Sequence, residues 1–167
     1  IIEYSDSAGE FTEVQRLDGP HNGSEYGISI SGGVDFNGDG IPDLAVGARS
    51  YNANTEQGAE GGAFIYLGTN NGFDESPTLV LDSGQTGSDF GHVVLGLPTS
   101  NGPQDALLVG ARRYDGLVPN GGKIFLYPGL ETCHIGGRFF SNGQANPDNI
   151  CQICDVGLSQ TEWSDNV

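Results

Sequence analysis

The chain has 167 residues, 28 of them glycine, and six basic against 22 acidic side chains give a formal charge of −16. That is enough for one globular domain plus an appendage and too little for two large ones, and glycine without a Gly-X-Y period excludes collagen and marks turns instead. The charge would repel phosphate backbones and anionic membranes, so no nucleic-acid partner is expected, and it points to bound cations if the carboxylates cluster.

Short runs of β-branched and aromatic residues, bounded by Gly, Asn, Asp and Pro, recur from end to end, which is the habit of an all-β domain. In chain order the predicted strands are Thr12 to Leu17, Ile28 to Val34, Leu44 to Gly47 and Gly62 to Leu67, then Thr78 to Leu81, His92 to Leu97, Ala106 to Gly110 and Lys123 to Tyr127. The second four repeat the first. Tyr26-Gly27 recurs as Phe90-Gly91, Val46 to Arg49 as Val109 to Arg112, and Gly61 to Tyr66 as Gly121 to Leu126, at offsets of 64, 63 and 60 residues. A drifting offset is the mark of one supersecondary unit copied with small loop changes. Residues 1–11 resemble residues 64–73, with Phe11 where Phe73 falls, so the chain opens on the last strand of a preceding unit.

Four-stranded units with a glycine and aromatic signature read as β-propeller blades, here blade A at about 11–68 and blade B at about 73–129 within a propeller region of 1–130. Two blades do not close a ring, so further blades are expected from a longer chain or from another one. The longest apolar run is only a few residues, far below the roughly 18 of a membrane helix, so no membrane insertion is expected in this segment. The start, Ile1-Ile2-Glu3, reads as a cut or processed end.

Between the second and third predicted strands lies Asp35-Phe36-Asn37-Gly38-Asp39-Gly40-Ile41-Pro42-Asp43. Oxygen side chains at its positions 1, 3, 5 and 9 point at one cation when the loop curls, the Ile41 carbonyl adds a further oxygen, and Gly40 permits the turn. Hard oxygen donors without sulfur or imidazole select Ca²⁺, so Asp35, Asn37, Asp39, Ile41 and Asp43 are the expected ligands. An EF-hand is excluded, because its position 12 would be Val46 and strand residues follow directly. An Asp- and Gly-rich turn without metal is the plainer alternative. The matching loop of the second unit, Pro98 to Asp105, keeps one carboxylate and is expected to bind none.

The aromatic-Gly pairs, the Asp35 to Asp43 loop and the Gly-Ala pairs (Gly47-Ala48, Gly110-Ala111) together resemble the FG-GAP repeats of integrin α-subunit propellers over about residues 1–130. Arg49 and Arg112 stand where that motif usually has proline. The resemblance implies an extracellular seven-bladed propeller with structural Ca²⁺ in rim loops, and other blades or protein subunits as partners.

From Glu131 to Val167 the character changes to a loop-rich segment without a strand pattern, carrying all three cysteines, Cys133, Cys151 and Cys154. Disulfides are preferred to zinc, since a second C-x2-C pair is missing. Three cysteines allow three choices of one internal bond and leave one over to pair elsewhere. The spacing from Cys133 through Asn146-Pro147, Asn149, Cys151 and Cys154 to Trp163 resembles a small cysteine-rich module of extracellular multidomain proteins, which often has a further Cys where Phe139 stands. Asn22-Gly23-Ser24 is an N-glycosylation candidate.

No catalytic constellation is present: His21, His92 and His134 are far apart and no nucleophile elbow or phosphate loop occurs. The leading expectation is a non-enzymatic extracellular adhesion, protein-binding or structural scaffold segment. The alternatives are a glycan-binding propeller using Tyr51, Tyr114 and Trp163, or an accessory domain of a secreted hydrolase such as a phospholipase.

Overall fold

The computed structural model describes residues 12–52, 58–99, 104–129, 132–135, 138–141, 145–155 and 159–165. The copy expected at residues 1–11 lies outside them. The fold is all-β. Its first sheet is antiparallel with order β1-β2-β3-β6, from β1 (Tyr26–Val34), β2 (Asp43–Ala48), β3 (Gly62–Tyr66) and β6 (Leu79–Leu81); β4 (Gly68–Thr69) and β5 (Gly72–Phe73) form a small hairpin between β3 and β6. The second sheet has order β7-β8-β9, from β7 (Phe90–Leu97), β8 (Ala106–Ala111) and β9 (Lys123–Tyr127).

Alternation along these strands gives each sheet two apolar faces, as a blade packed between two others requires. One core lies between the sheets, where Ala45, Ala63 and Ile65 meet Phe90, Val94 and Val109. The second core covers the other face of the first sheet, with Val46, Phe64 and Tyr66 under the partly buried Leu17 and Tyr26.

Two predicted assignments change. Thr12 to Leu17 is not a strand, although Leu17 packs on the sheet and the Gln15 amide exchanges hydrogen bonds with the Phe73 backbone (2.7 and 2.9 Å). Leu79–Leu81, expected to open the second unit, pairs with β3 and forms the outer strand of the first sheet. The two corrections share a cause: 12–17 and 78–81 are equivalent segments, and among the described residues only the latter has a sheet edge beside it to complete its ladder. The pairing also resets the repeat. Val46 opposes Phe64 and Val109 opposes Phe125, so Phe64 matches Phe125 and Tyr66 matches Tyr127, one residue from the alignment that sequence identity favours.

The C-terminal segment is not irregular. β10 (Thr132–Ile135) pairs with β11 (Arg138–Ser141), and β12 (Ala145–Asn146), β13 (Asn149–Asp155) and β14 (Ser159–Asp165) form a three-stranded antiparallel sheet. Cys154 is fully buried and disulfide-bonded; the side chains of Cys133 and Cys151 lie outside the described residues. Among the described residues no helix is long and apolar enough to cross a membrane.

Candidate metal centre

The loop Asp35 to Asp43 joins β1 to β2, and left-handed glycines at 38 and 40 (φ 77° and 82°) turn it back on itself. Its polar side chains face inward onto the loop's own amides. Asp35 Oδ1 accepts from the N–H groups of Gly38 (2.6 Å) and Asp39 (3.2 Å), and its Oδ2 accepts from Gly40 (2.7 Å). Asn37, almost fully buried, accepts from the Asp39 N–H (3.2 Å) and donates to Asp39 Oδ2 (2.9 Å), while Asp39 Oδ1 accepts from the Ile41 N–H (2.8 Å).

Asp43 is fully buried. Its Oδ2 accepts from the Phe36 N–H (2.8 Å) and its Oδ1 from the Gly68 N–H (2.7 Å), so one carboxylate ties the loop to the β4 turn. Gly68 is required there, because a Cβ would run into the Pro42 carbonyl. Burial pushes the Asp43 carboxyl up to about 6; the two N–H bonds oppose this, and the charges of Asp39 and Asp35 add to it.

The structure therefore brings all five predicted ligands into one closed loop, but with the carboxylates spread over backbone donors. Among the described residues no three His, Cys, Asp or Glu side chains gather as a metal site. The donor chemistry nonetheless fits a hard cation. Every donor is oxygen, each carboxylate oxygen but Asp35 Oδ1, which accepts two N–H groups, keeps a lone pair beyond the one already accepting a hydrogen bond, and no ion pair among the described residues neutralises Asp35, Asp39 or Asp43.

Asp105, the remaining acid of the second loop, has a role that motif reading missed. Its Oδ1 accepts from the Thr99 N–H (2.8 Å), as Asp43 accepts from Phe36, and its Oδ2 accepts from the Asp35 N–H (2.9 Å). The Asp105 N–H donates in turn to the Asp35 carbonyl (2.7 Å). The loop between β7 and β8 thus holds the first residue of the acidic loop between β1 and β2.

The arginines in the usual proline position are explained by a repeated ion pair. Arg49 meets Glu25 (2.7 Å) and Arg112 meets Asp89 (2.6 Å), each acid standing just before an aromatic-Gly pair. Hydrogen bonds from Arg49 and then Ser50 hold the Glu25 carboxyl below its usual range. The pairs are at the surface and screened, so Arg112→Ala is expected to leave the melting temperature nearly unchanged at physiological salt.

The remaining candidates fall into structural roles. Tyr51 and Tyr114 pack edge-on against Phe64 (4.9 Å) and Phe125 (5.5 Å), equivalent positions of the two sheets, which uses ring surface that a glycan would need. His21 stacks on Tyr51 (5.8 Å), and His92 Nδ1 is buried without a hydrogen-bond partner. Asn22 stands exposed in a turn, and Ser24 beside it is buried.

Residues 26–63 match the family model described as FG-GAP repeat. The chain is 32% identical over 92 residues to chicken (Gallus gallus) integrin alpha-6, covering 54% of this chain and 8% of the relative. It is 36% identical over 83 residues to the human integrin alpha-6, covering 48% and 7%. It is also 29% identical over 127 residues to bovine (Bos taurus) phosphatidylinositol-glycan-specific phospholipase D, covering 75% and 14%. The chain thus spans a small part of each of these relatives. Residues 26–63, which hold β1, β2, the acidic loop and the start of β3, are an FG-GAP segment similar to those of integrin α-subunits.

Proposed function

We propose that the chain is a non-enzymatic, extracellular propeller segment that serves as an adhesion, protein-binding or structural scaffold, with one Ca²⁺ held by Asp35, Asn37, Asp39, the Ile41 carbonyl and Asp43. The observation that carries this reading is the acidic loop itself: three carboxylates in nine residues, one of them fully buried, with backbone amides and the Asn37 side chain, and no cationic side chain among the described residues, to balance them. A bound cation would offset the burial and the repulsion from Asp39 and Asp35 that raise Asp43, and would stiffen the loop that Asp105 grips from the second sheet. The ion's part is structural. In a secreted setting the C-terminal sheets form the disulfide-bonded module expected from the cysteines, and Asn22 carries a glycan.

The test compares thermal melting in calcium and in EGTA. Calcium at a hundredfold excess over its Kd is expected to stabilise the chain by about 2.7 kcal/mol. Asp39→Ala should remove that gain and melt in calcium where the wild type melts in EGTA; an unchanged calcium response in the variant would remove the metal assignment. For Asn22, expression through a secretory pathway should add a glycan mass that Asn22→Gln abolishes, while the unmodified mass in the wild type would discard the site.

The similarity to phosphatidylinositol-glycan-specific phospholipase D covers more of this chain than the integrin similarities do, which favours a second reading as the accessory propeller of a secreted hydrolase whose catalytic domain lies outside these residues. Co-purification of a lipase activity with the native parent chain would select that reading.

A further inference from the structure

The acidic loop is fastened at its two ends to different sheets. At its C-terminal end Asp43 ties it to the Gly68 N–H in the β4 turn of the first sheet (2.7 Å). At its N-terminal end the anchors come from the second sheet. Asp105 Oδ2 accepts the Asp35 N–H (2.9 Å), the Asp105 N–H donates to the Asp35 carbonyl (2.7 Å), and Phe36 is buried in the core between the sheets together with Val94 and Leu107. Gly129, just past β9, approaches from the same side: a Cβ there would stand 3.0 Å from the Phe36 carbonyl oxygen. The ligand-bearing stretch between the two anchors closes through Asp35 itself, whose carboxylate accepts from Gly38, Asp39 and Gly40. Asp35 therefore has its backbone held by one sheet and its side chain at the centre of the other sheet's loop.

Asp43 and Asp105 share one bond and differ in the other. Each gives an oxygen to the second residue of its own loop, Asp43 to Phe36 and Asp105 to Thr99, both at 2.8 Å. The remaining oxygen of Asp43 stays within its sheet at Gly68, whereas that of Asp105 crosses to Asp35. The register accounts for the difference. Leu44 opposes Tyr66 and Leu107 opposes Tyr127, so the strand counterpart of Asp43 is Ala106, and Asp105 stands one residue earlier. One residue along an extended chain turns a side chain to the opposite face, here toward the first sheet. The single carboxylate of the second loop thus works on the first loop.

We propose that Asp105 is a positioning residue of the calcium site: by fixing the backbone of Asp35 from the second sheet it sets the affinity of the loop for Ca²⁺, and the bound ion in turn tightens the joint between the two sheets. This role rests on the calcium reading and extends it to a residue outside the nine-residue loop. A loop that closes on an ion loses conformational freedom, and one whose first ligand is already held in place loses less. The coupling is reciprocal, so whatever factor the latch contributes to calcium binding, calcium contributes to the latch.

The test is calorimetric titration of the whole chain with calcium, with melting in EGTA to confirm folding. Asp105 is partly exposed, so water can take up the Asp35 and Thr99 N–H groups in Asp105→Ala. That variant should fold in EGTA yet bind calcium about tenfold more weakly than the wild type. The ratio of the two Kd values should persist at high salt, because a held backbone is not screened as a nearby charge is. Ser31→Ala is the control: it removes a different hydrogen bond across the same joint, from the Gly96 N–H (2.9 Å), and should leave the calcium Kd unchanged. In the wild type, hydrogen exchange at the Asp105 amide should slow when calcium is added. Equal calcium affinity in Asp105→Ala and wild type, a deficit that disappears at high salt or is shared by Ser31→Ala, or an Asp105 amide indifferent to calcium would overturn the positioning role and leave the calcium reading standing. A wild type that binds no calcium would overturn the calcium reading, and this role with it.

Discussion

Phe90→Ala is expected to cost about 3–5 kcal/mol, a large part of the stability of a domain this size. Phe90 has no exposed surface, sits edge-on to Phe125 (5.2 Å) and begins the strand whose backbone packs against Gly47, Gly61 and Gly62 of the first sheet. Its removal leaves a cavity at the point where the two sheets are joined, and neither sheet can close it while Gly91 stays wedged against Gly47 and Gly62. The twin residue provides the control. Tyr26 makes the same edge contact with Phe64 (5.5 Å) and a hydroxyl bond to Tyr66 (2.8 Å), but it is half-buried among the described residues. Tyr26→Ala should cost about 1–3 kcal/mol. Urea denaturation of the two variants measures the difference; equal losses would mean that the joint contributes no more than the sheets themselves. Gly47→Ala against Gly110→Ala asks the same question of the backbone, with a severe loss expected at Gly47, where a Cβ would run into the Gly91 carbonyl, and little change at Gly110, where it would meet Val93 of its own sheet at 3.6 Å.

The difference between twins marks what sequence could and could not convey. Seven of the eight predicted strands were legible because runs such as Leu44 to Gly47 and Ala106 to Gly110 are short, β-rich and bracketed by turn residues, and all seven are strands in the structure. The eighth, Thr12 to Leu17, has the right composition, but a strand is a relation between segments, and its ladder partner is not among the described residues. For the same reason the sheet to which Leu79–Leu81 belongs was not legible: the pattern shows a strand without showing which edge it completes. The acidic loop was legible because its ligand spacing is local. The latch of Asp105 onto Asp35 was not, since it crosses 70 residues and uses a backbone N–H, which leaves no trace in side-chain identity. The Arg49 and Arg112 departures from the expected proline became intelligible once Glu25 and Asp89 stood beside them.

Asp43→Asn should destabilise the chain by about 1–3 kcal/mol with or without calcium, which separates the carboxylate's structural work from any metal role. The substitution keeps the shape and turns one acceptor into a donor. Both Asp43 oxygens accept backbone N–H groups, from Phe36 and from Gly68, so an amide NH₂ must oppose one of them in a fully buried position. Relief of repulsion from Asp39 and Asp35 offsets part of that cost, since burial and these two charges raise the carboxyl to about 6. Asp43→Ala leaves both N–H groups unpartnered and should cost about 2–5 kcal/mol. Asp39 differs, because it is partly exposed and water can replace its bonds to Asn37 and Ile41. Asp39→Ala is therefore expected within about 1 kcal/mol of wild type in EGTA, with its whole loss appearing in calcium. Melting curves for both variants in the two conditions give four numbers, and the assignment of Asp43 as clamp as well as ligand, and of Asp39 as ligand alone, requires that one variant be weak in both conditions and the other in one. If Asp43→Asn matched wild type in EGTA, the clamp would be refuted and burial of this carboxylate would need another cause.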